Sequence, residues 1–281
     1  YKRTWRNTSN ALESVAQAHC DTLLCLDEMG QVDAKEAGQV SYMLANGSGK
    51  GRSRAEGGLR EQPEWRVLFL STGELSLGEH MLSHGKRIKA GQEVRLVDIP
   101  GDAGKKLGCW EEVPEGQTPA GFTQHLKSVS TKYYGTAIRR FLELLDEDTN
   151  RCFMRGGFEQ SRRKLEPVHL RGNVDGQVLR VFQRFILVGH AGELAIRMGI
   201  LPLTPDSCMN AAMRCCEGWL ADRGTCGSRE VDEGLRKVRL FLETNQDSRF
   251  TPYDEIGDPE KRTTYQRAGY TLEEDDESYF L

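Results

Sequence analysis

No stretch of this 281-residue chain approaches the ~20 consecutive apolar residues of a membrane span, so a helical membrane protein is not expected. No secretory signal pattern opens it, and the expected compartment is the cytoplasm. None of the eight cysteines falls in a C-x-x-C pair, and Cys215 and Cys216 are vicinal, which disfavours both a zinc site and an ordinary disulfide. Most lie among apolar neighbours, so buried, reduced thiols are expected. His80 and His84 stand four apart but lack the Glu that follows the first His of a helical zinc pair; they are read as surface or capping residues. Also missing is the phosphate-cradling loop Gly-x-x-x-x-Gly-Lys-Ser/Thr. Asn46-Gly47-Ser48-Gly49-Lys50-Gly51 comes nearest, but Leu44 stands at the leading glycine position, Gly51 follows the lysine, and the segment succeeds a helical pattern.

What is present begins with Asp21-Thr22-Leu23-Leu24-Cys25-Leu26-Asp27-Glu28, an apolar run ending in adjacent carboxylates. In a P-loop nucleotidase such a run is the Walker B strand, whose acids project into the crevice at the carboxyl edge of a parallel sheet. Asp27 is then placed to hold Mg²⁺ through water, and Glu28 to polarise the attacking water. A second run, Trp65 to Leu70, ends in Ser71-Thr72-Gly73-Glu74 and has the form of the neighbouring sensor strand, with the Thr72 or Ser71 hydroxyl at its tip. The order of acidic strand, helix and polar-tipped strand makes each reading stronger than either alone.

Around these runs Asn10-Ala11-Leu12-Glu13 has the form of a capping box, predicting a helix over about 11–19. Asp33-Ala34-Lys35-Glu36 is another, with Ala37, Val40, Met43 and Leu44 at helical spacing up to Asn46-Gly47. Residues 47–58 read as a flexible, basic, Gly-rich loop, Leu75 to Ser83 as a helix, and Glu93 to Ile99 as a third apolar strand ended by Pro100. Three buried strands joined by crossovers imply a parallel α/β sheet. From residue 118 helical stripes follow one another: Phe122, Leu126 and Val129; Ala137, Phe141, Leu144 and Leu145; Val178 to Met198; a helix capped by Asp206; and one carrying Val231, Leu235, Val238 and Leu242. The expected organisation is a partial P-loop ATPase core over 1–117, a helical domain over 118–250, and an acidic linker or piece of a further module over 251–281. Because the chain opens at Tyr1 without a phosphate loop, it reads as the back portion of a longer protein.

Residues 254–281 hold nine acids against three bases, a balance of −6 that leaves +2 on the rest of a chain whose net charge is −4. Two basic stretches, residues 50–66 (Lys50, Arg52, Arg54, Arg60, Arg66) and residues 151–171 (Arg151, Arg155, Arg162, Arg163, Lys164, Arg171), are each read as either a nucleic-acid contact or a solvated surface.

Trp5-Arg6, Asn10 to Glu13, Leu26-Asp27-Glu28, Tyr42 to Gly47 with Gly49, Lys50 and Arg52, Phe69 to Glu74, Ala90 to Arg95, Arg184-Phe185 and Ala191 to Leu194 together resemble the family known as domain of unknown function DUF927. The resemblance spans most of residues 1–250. It implies a helicase-like P-loop ATPase of phage, plasmid and integrative elements, joined to primase-type domains, with its phosphate loop upstream of Tyr1. It further implies ATP and Mg²⁺ as cofactors, single-stranded DNA as partner, and a homo-oligomeric ring. In such a ring Asp27, Glu28 and Thr72 face the nucleotide, while Arg95 or Arg87 enters from a neighbour, with Lys50, Arg52 and Arg54 as rival contacts to a neighbour or to DNA. The competing expectation is a non-enzymatic DNA- or partner-binding module with a vestigial nucleotide site.

Overall fold

The computed structural model describes residues 2–53, 58, 61–256, 264–274 and 277–281. The chain forms two compact units, Tyr1–Cys226 and Gly227–Leu281. The first is α/β, with a small parallel sheet and a preponderance of helix.

Its sheet has the order β1 (Arg3–Thr4), β2 (Leu23–Asp27), β3 (Leu68–Ser71), all parallel, with Thr4 opposite Asp27 and Leu26 opposite Ser71. The two carboxylate- and hydroxyl-tipped runs are therefore adjacent strands. The third strand is not Glu93 to Ile99: α4 (Ala90–Glu93) leads that segment into turn and coil. Its apolar side chains serve another purpose, since Leu96 is buried in the sheet core and Val94 in a separate helical core. Alternation reflects two hydrophobic destinations, which a one-dimensional pattern cannot tell from a strand.

Only one face of the sheet is buried. Leu24 and Leu26 pack with Trp5, with Leu12 and Ala16 of α1 (Ser9–Ala18), and with Val40 and Leu44 of α2 (Ala34–Asn46), whereas Leu23, Leu68 and Leu70 are exposed. The two capping boxes fare differently. Asp33 caps α2 through the Lys35 N–H, and Gly47 closes that helix at φ +76°. α1 is capped instead by Thr8, whose hydroxyl accepts from the Ala11 N–H. Glu13 is drawn away to other partners described below.

Next come α3 (Leu77–Leu82), α5 (Pro119–Lys132), α6 (Thr136–Leu145), α7 (Asp148–His169), α8 (Gly176–Arg197) and α9 (Ser207–Arg223). The helical core is an α8–α9 crossing in which Val181, Phe182 and Ile186 meet Met209, Met213, Cys216 and Trp219. Gly192 makes the crossing possible: a Cβ there would lie 2.5 Å from the Cβ of Cys208. Asp206 makes no side-chain cap; Glu193 of α8 does that work, accepting from the N–H groups of Asp206, Cys208 and Met209 at 2.8, 2.9 and 3.0 Å. No residue of α5 or α6 is buried, so those two stripes are not core as expected. All eight cysteines are free thiols, but only Cys216 is fully buried, and its pKa is pushed up to about 12 by desolvation. Cys20, Cys109 and Cys152 are exposed, against the expectation of buried thiols.

The second unit holds α10 (Arg229–Arg249) and a sheet of order β4 (Phe250–Pro252), β5 (Gly269–Glu274), β6 (Glu277–Phe280), with β5 parallel to β4 and antiparallel to β6. Phe250 stacks edge-on to Phe280 at 4.9 Å. The last helix is thus grouped with the acidic C-terminal residues, of which Gly269–Glu274 and Glu277–Phe280 form strands.

Asp98, between the two cores of the first unit, is held up to a pKa of about 6 by desolvation and by the carboxylates of Glu93, Glu79 and Asp222, against the lowering effect of the Leu77 N–H. A folded-state pKa above the unfolded value means that the native state holds its proton longer, so stability falls as pH rises from about 4 to about 6. Asp98→Asn, which keeps an acceptor for Leu77, is expected to raise the melting midpoint at pH 7 and to match the parent protein at pH 4; differential scanning fluorimetry across that range checks it.

Candidate active site

The parallel pairing of β2 and β3 brings their tips together at the carboxyl edge, where side-chain chemistry is least obstructed by the sheet. The Thr72 hydroxyl donates to Asp27 Oδ1 at 2.8 Å and accepts from the Glu28 N–H at 3.1 Å. The two chains are also tied by backbone, Thr72 N–H to the Leu26 carbonyl (3.0 Å) and Met29 N–H to the Thr72 carbonyl (2.8 Å). Gly73 permits this closure, since a Cβ there would lie 3.2 Å from the Met29 Cβ and 3.3 Å from the Leu75 carbonyl oxygen. Glu28 adopts a left-handed conformation, φ +59° and ψ +77°, turning the chain from β2 into a short 3₁₀ turn, Met29–Gln31. A non-glycine residue in that region is uncommon and carries strain. Beyond it, buried His80 donates from Nε2 to the Val32 carbonyl at 2.9 Å and pins the far end of the loop. His80 is therefore neither a surface nor a capping residue.

On its other side Asp27 meets Lys2, whose ammonium donates to Oδ2 at 2.5 Å. The Lys2 ammonium and then the Thr72 hydroxyl hold the Asp27 carboxyl below the usual carboxylate range. Lys2 is the one member of the site with no signal in the sequence. Its partnership follows from β1 lying beside β2, a neighbour that two strand residues do not announce.

The remaining candidate residues lie elsewhere. Ser71 accepts from the indole N–H of buried Trp5 at 2.9 Å, so its hydroxyl braces β3 against the core and Thr72 alone reaches Asp27. Arg95 is not on a strand: it donates to the Asn46 side chain (3.0 Å) and the Gly91 carbonyl (2.7 Å) and lies 3.9 Å above the Tyr42 ring. Arg184 donates to the Val94 carbonyl at 2.7 Å, and its pKa is lowered by desolvation and by the like charges of Arg95 and Arg180. Arg87 is exposed in the loop before α4. Lys50 and Arg52 are tethered to α1: Glu13, only 2% exposed, accepts from the Lys50 N–H (3.3 Å) and from Arg52 Nη2 (2.7 Å), which also bonds Asn10. Gly49 packs onto the same carboxylate, with 2.8 Å from a would-be Cβ to Glu13 Oε2, so the glycine answers a packing demand. Arg54 lies outside the described residues. In the basic stretch of residues 151–171, which holds six bases against two acids, Arg162 pairs with Glu159 and Glu166 and Arg163 with Glu159.

Hard oxygen groups and one ammonium make up this edge, a set suited to a hydrated, hard cation and its anionic ligand and ill suited to zinc. Among the described residues no group of three or more His, Cys, Asp or Glu is placed to hold a metal ion. Among them also no helix is long and apolar enough to cross a membrane.

Fold and site together define an α/β protein with an acid and a hydroxyl joined across adjacent parallel strand tips. Residues 1–64 match the family described as Domain of unknown function (DUF927), a span that includes Asp27, Glu28, Lys50 and Arg52 and ends before β3. Among solved structures, the "SCCmec type IV Cch - active helicase" superposes with a TM-score of 0.57 at 15% identity, over 99% of this chain and 45% of that one. At that identity the likeness is one of fold, and this chain spans less than half the length of that helicase chain. No curated protein matches.

Proposed function

We propose that this chain is part of a DNA-associated, helicase-like P-loop ATPase of mobile elements. The observation that carries the reading is the Thr72–Asp27 hydrogen bond at 2.8 Å, which joins an acid and a sensor hydroxyl across neighbouring strand tips. Mobile-element association and a helicase-like role are supported by the structural neighbour's name and by the family match.

In this reading Asp27 would hold Mg²⁺ through water, and bound Mg²⁺ would supply neutralisation of phosphate charge. The Lys2 ammonium, exposed and paired to the same carboxylate, yields its place, because a solvent-exposed pair is readily exchanged. Glu28 orients and deprotonates the attacking water from the left-handed turn at the end of β2. Thr72 keeps the Asp27 carboxylate oriented and couples it to the Glu28 peptide, so the metal-binding acid and the base move together. In a homo-oligomeric ring, Arg95 or exposed Arg87 of a neighbouring copy neutralises the transferred phosphoryl group. Arg95 has the firmer mounting, being held by Asn46, Gly91 and Tyr42. A primase-type domain joined upstream and single-stranded DNA as the track complete the proposal.

Mg²⁺-dependent ATP hydrolysis by the full-length protein, with and without single-stranded DNA, tests it. DNA-stimulated turnover that Asp27→Asn abolishes is the expected result. Salt-sensitive DNA binding by a folded, assembled protein with no turnover would replace it with a non-enzymatic binding module.

A further inference from the structure

Between residues 116 and 142 the chain carries Lys127, Lys132, Arg139 and Arg140 and no Asp or Glu. This is the α5–α6 segment, whose two helices bury no residue. Its base is fixed where Trp110 stacks edge-on to Phe122 at 4.9 Å and donates to Thr123 at 3.1 Å. Its turn is Tyr133-Tyr134-Gly135, with Gly135 at φ +80° starting α6. The two tyrosines are 77% and 78% exposed. Large aromatic rings left in water beside one another, on a segment of single charge sign, are costly to display and suit a ligand that offers flat faces and negative charge. Lys132 adjoins the tyrosines, Arg139 lies in the first turn of α6 and Lys127 in the last turns of α5; all are exposed, and none pairs with a carboxylate among the described residues. Carboxylates resume only at Glu143, which pairs with Arg140.

We propose that the α5–α6 segment is a single-stranded nucleic-acid contact, in which Tyr133 and Tyr134 stack on bases while Lys127, Lys132 and Arg139 hold the phosphate backbone. The inference rests on the DNA-associated reading for its choice of ligand and adds the surface that would grip it. Base–aromatic stacking tolerates any sequence because every base has a π-face, as a translocating protein requires.

The test is fluorescence anisotropy of labelled oligo(dT) with the 281-residue chain across a salt series. Y133A/Y134A is expected to weaken binding about tenfold or more, since stacking contributes ~1–3 kcal/mol per base and ~1.4 kcal/mol is tenfold. Y133F/Y134F keeps the ring faces and is expected to bind as the parent does. K132A/R139A is expected to flatten the plot of log affinity against log salt by roughly 0.7 for each lost phosphate contact. All of these side chains are exposed, so unchanged melting midpoints will show that folding is intact. Parent-like binding by the alanine pair overturns the α5–α6 assignment and leaves the DNA-associated reading standing. Equal loss in the phenylalanine pair overturns stacking, and no oligo(dT) binding by the parent chain even at low salt overturns both. A Tyr-dependent self-association in sedimentation, with DNA binding unmoved, assigns the surface to a second copy and also overturns the proposal.

Discussion

Glu28→Gln is expected to reduce ATP turnover of the full-length protein by about 10²–10⁴-fold, the range that a positioned general base contributes, while leaving folding unchanged. Gln has the same length and shape, and among the described residues the ties that place Glu28 are its N–H to Thr72 and its carbonyl to the Gln31 N–H, both backbone groups. Turnover measured beside nucleotide binding separates the outcomes. Retained binding with lost turnover places Glu28 in the chemical step; parent-like turnover in Glu28→Gln removes it from the site. Glu28→Gly offers a second reading of the same position, since glycine adopts φ +59° without steric cost. It should therefore fold at least as stably as the parent while being equally inactive, the behaviour of a residue kept for function at some expense of local strain.

Trp5→Ala is expected to be the most damaging substitution for stability, costing about 3–5 kcal/mol in denaturant unfolding. Trp5 is fully buried, lies just after β1, and touches the core made by α1, β2 and α2. Its indole N–H donates to Ser71 on β3, and its backbone N–H to the Asp27 carbonyl at 3.2 Å. One residue, through its backbone and its side chain, thus ties together all three strands of a sheet with only one buried face. Truncation leaves a cavity, removes the indole donor from Ser71 and loosens the strand order beneath Asp27 and Thr72. Ser71→Ala separates these contributions: it removes the hydrogen bond alone and is expected to cost about 1 kcal/mol. Equal losses for both substitutions would show that packing around the ring contributes little.

Several features were legible because local chemistry specifies them. Strand β2 and its paired acids, α2 with its Asp33 cap and Gly47 stop, α3, and the long α8 and α9 each follow from a short window of residues. The adjacency of Asp27 and Thr72 was also anticipated, as two apolar runs joined through a helix pair in parallel. Misreadings arose where distant partners decide. Glu93 to Ile99 alternates like a strand because Val94 and Leu96 answer to different cores. Glu13 has the spacing of a capping acid, yet Arg52 and the Lys50 N–H, remote in sequence, claim it. Asp206 has the residue type of a cap, yet Glu193 reaches the helix start first.

By itself the sequence determined that two apolar runs end in a carboxylate pair and a hydroxyl, that helices follow, and that no phosphate-binding loop lies within these 281 residues. These are matters of composition and short-range periodicity, which hydrophobicity and capping write locally. Only the tertiary structure decided that Lys2 closes on Asp27, that Ser71 turns to Trp5 while Thr72 serves the acid, that the basic loop at Lys50 and Arg52 is tied to α1, and that Lys127, Lys132 and Arg139, unlike Arg140, are without carboxylate partners among the described residues. Each depends on which surfaces meet across the chain, and charge or hydrogen-bonding capacity becomes function only once those neighbours are in place.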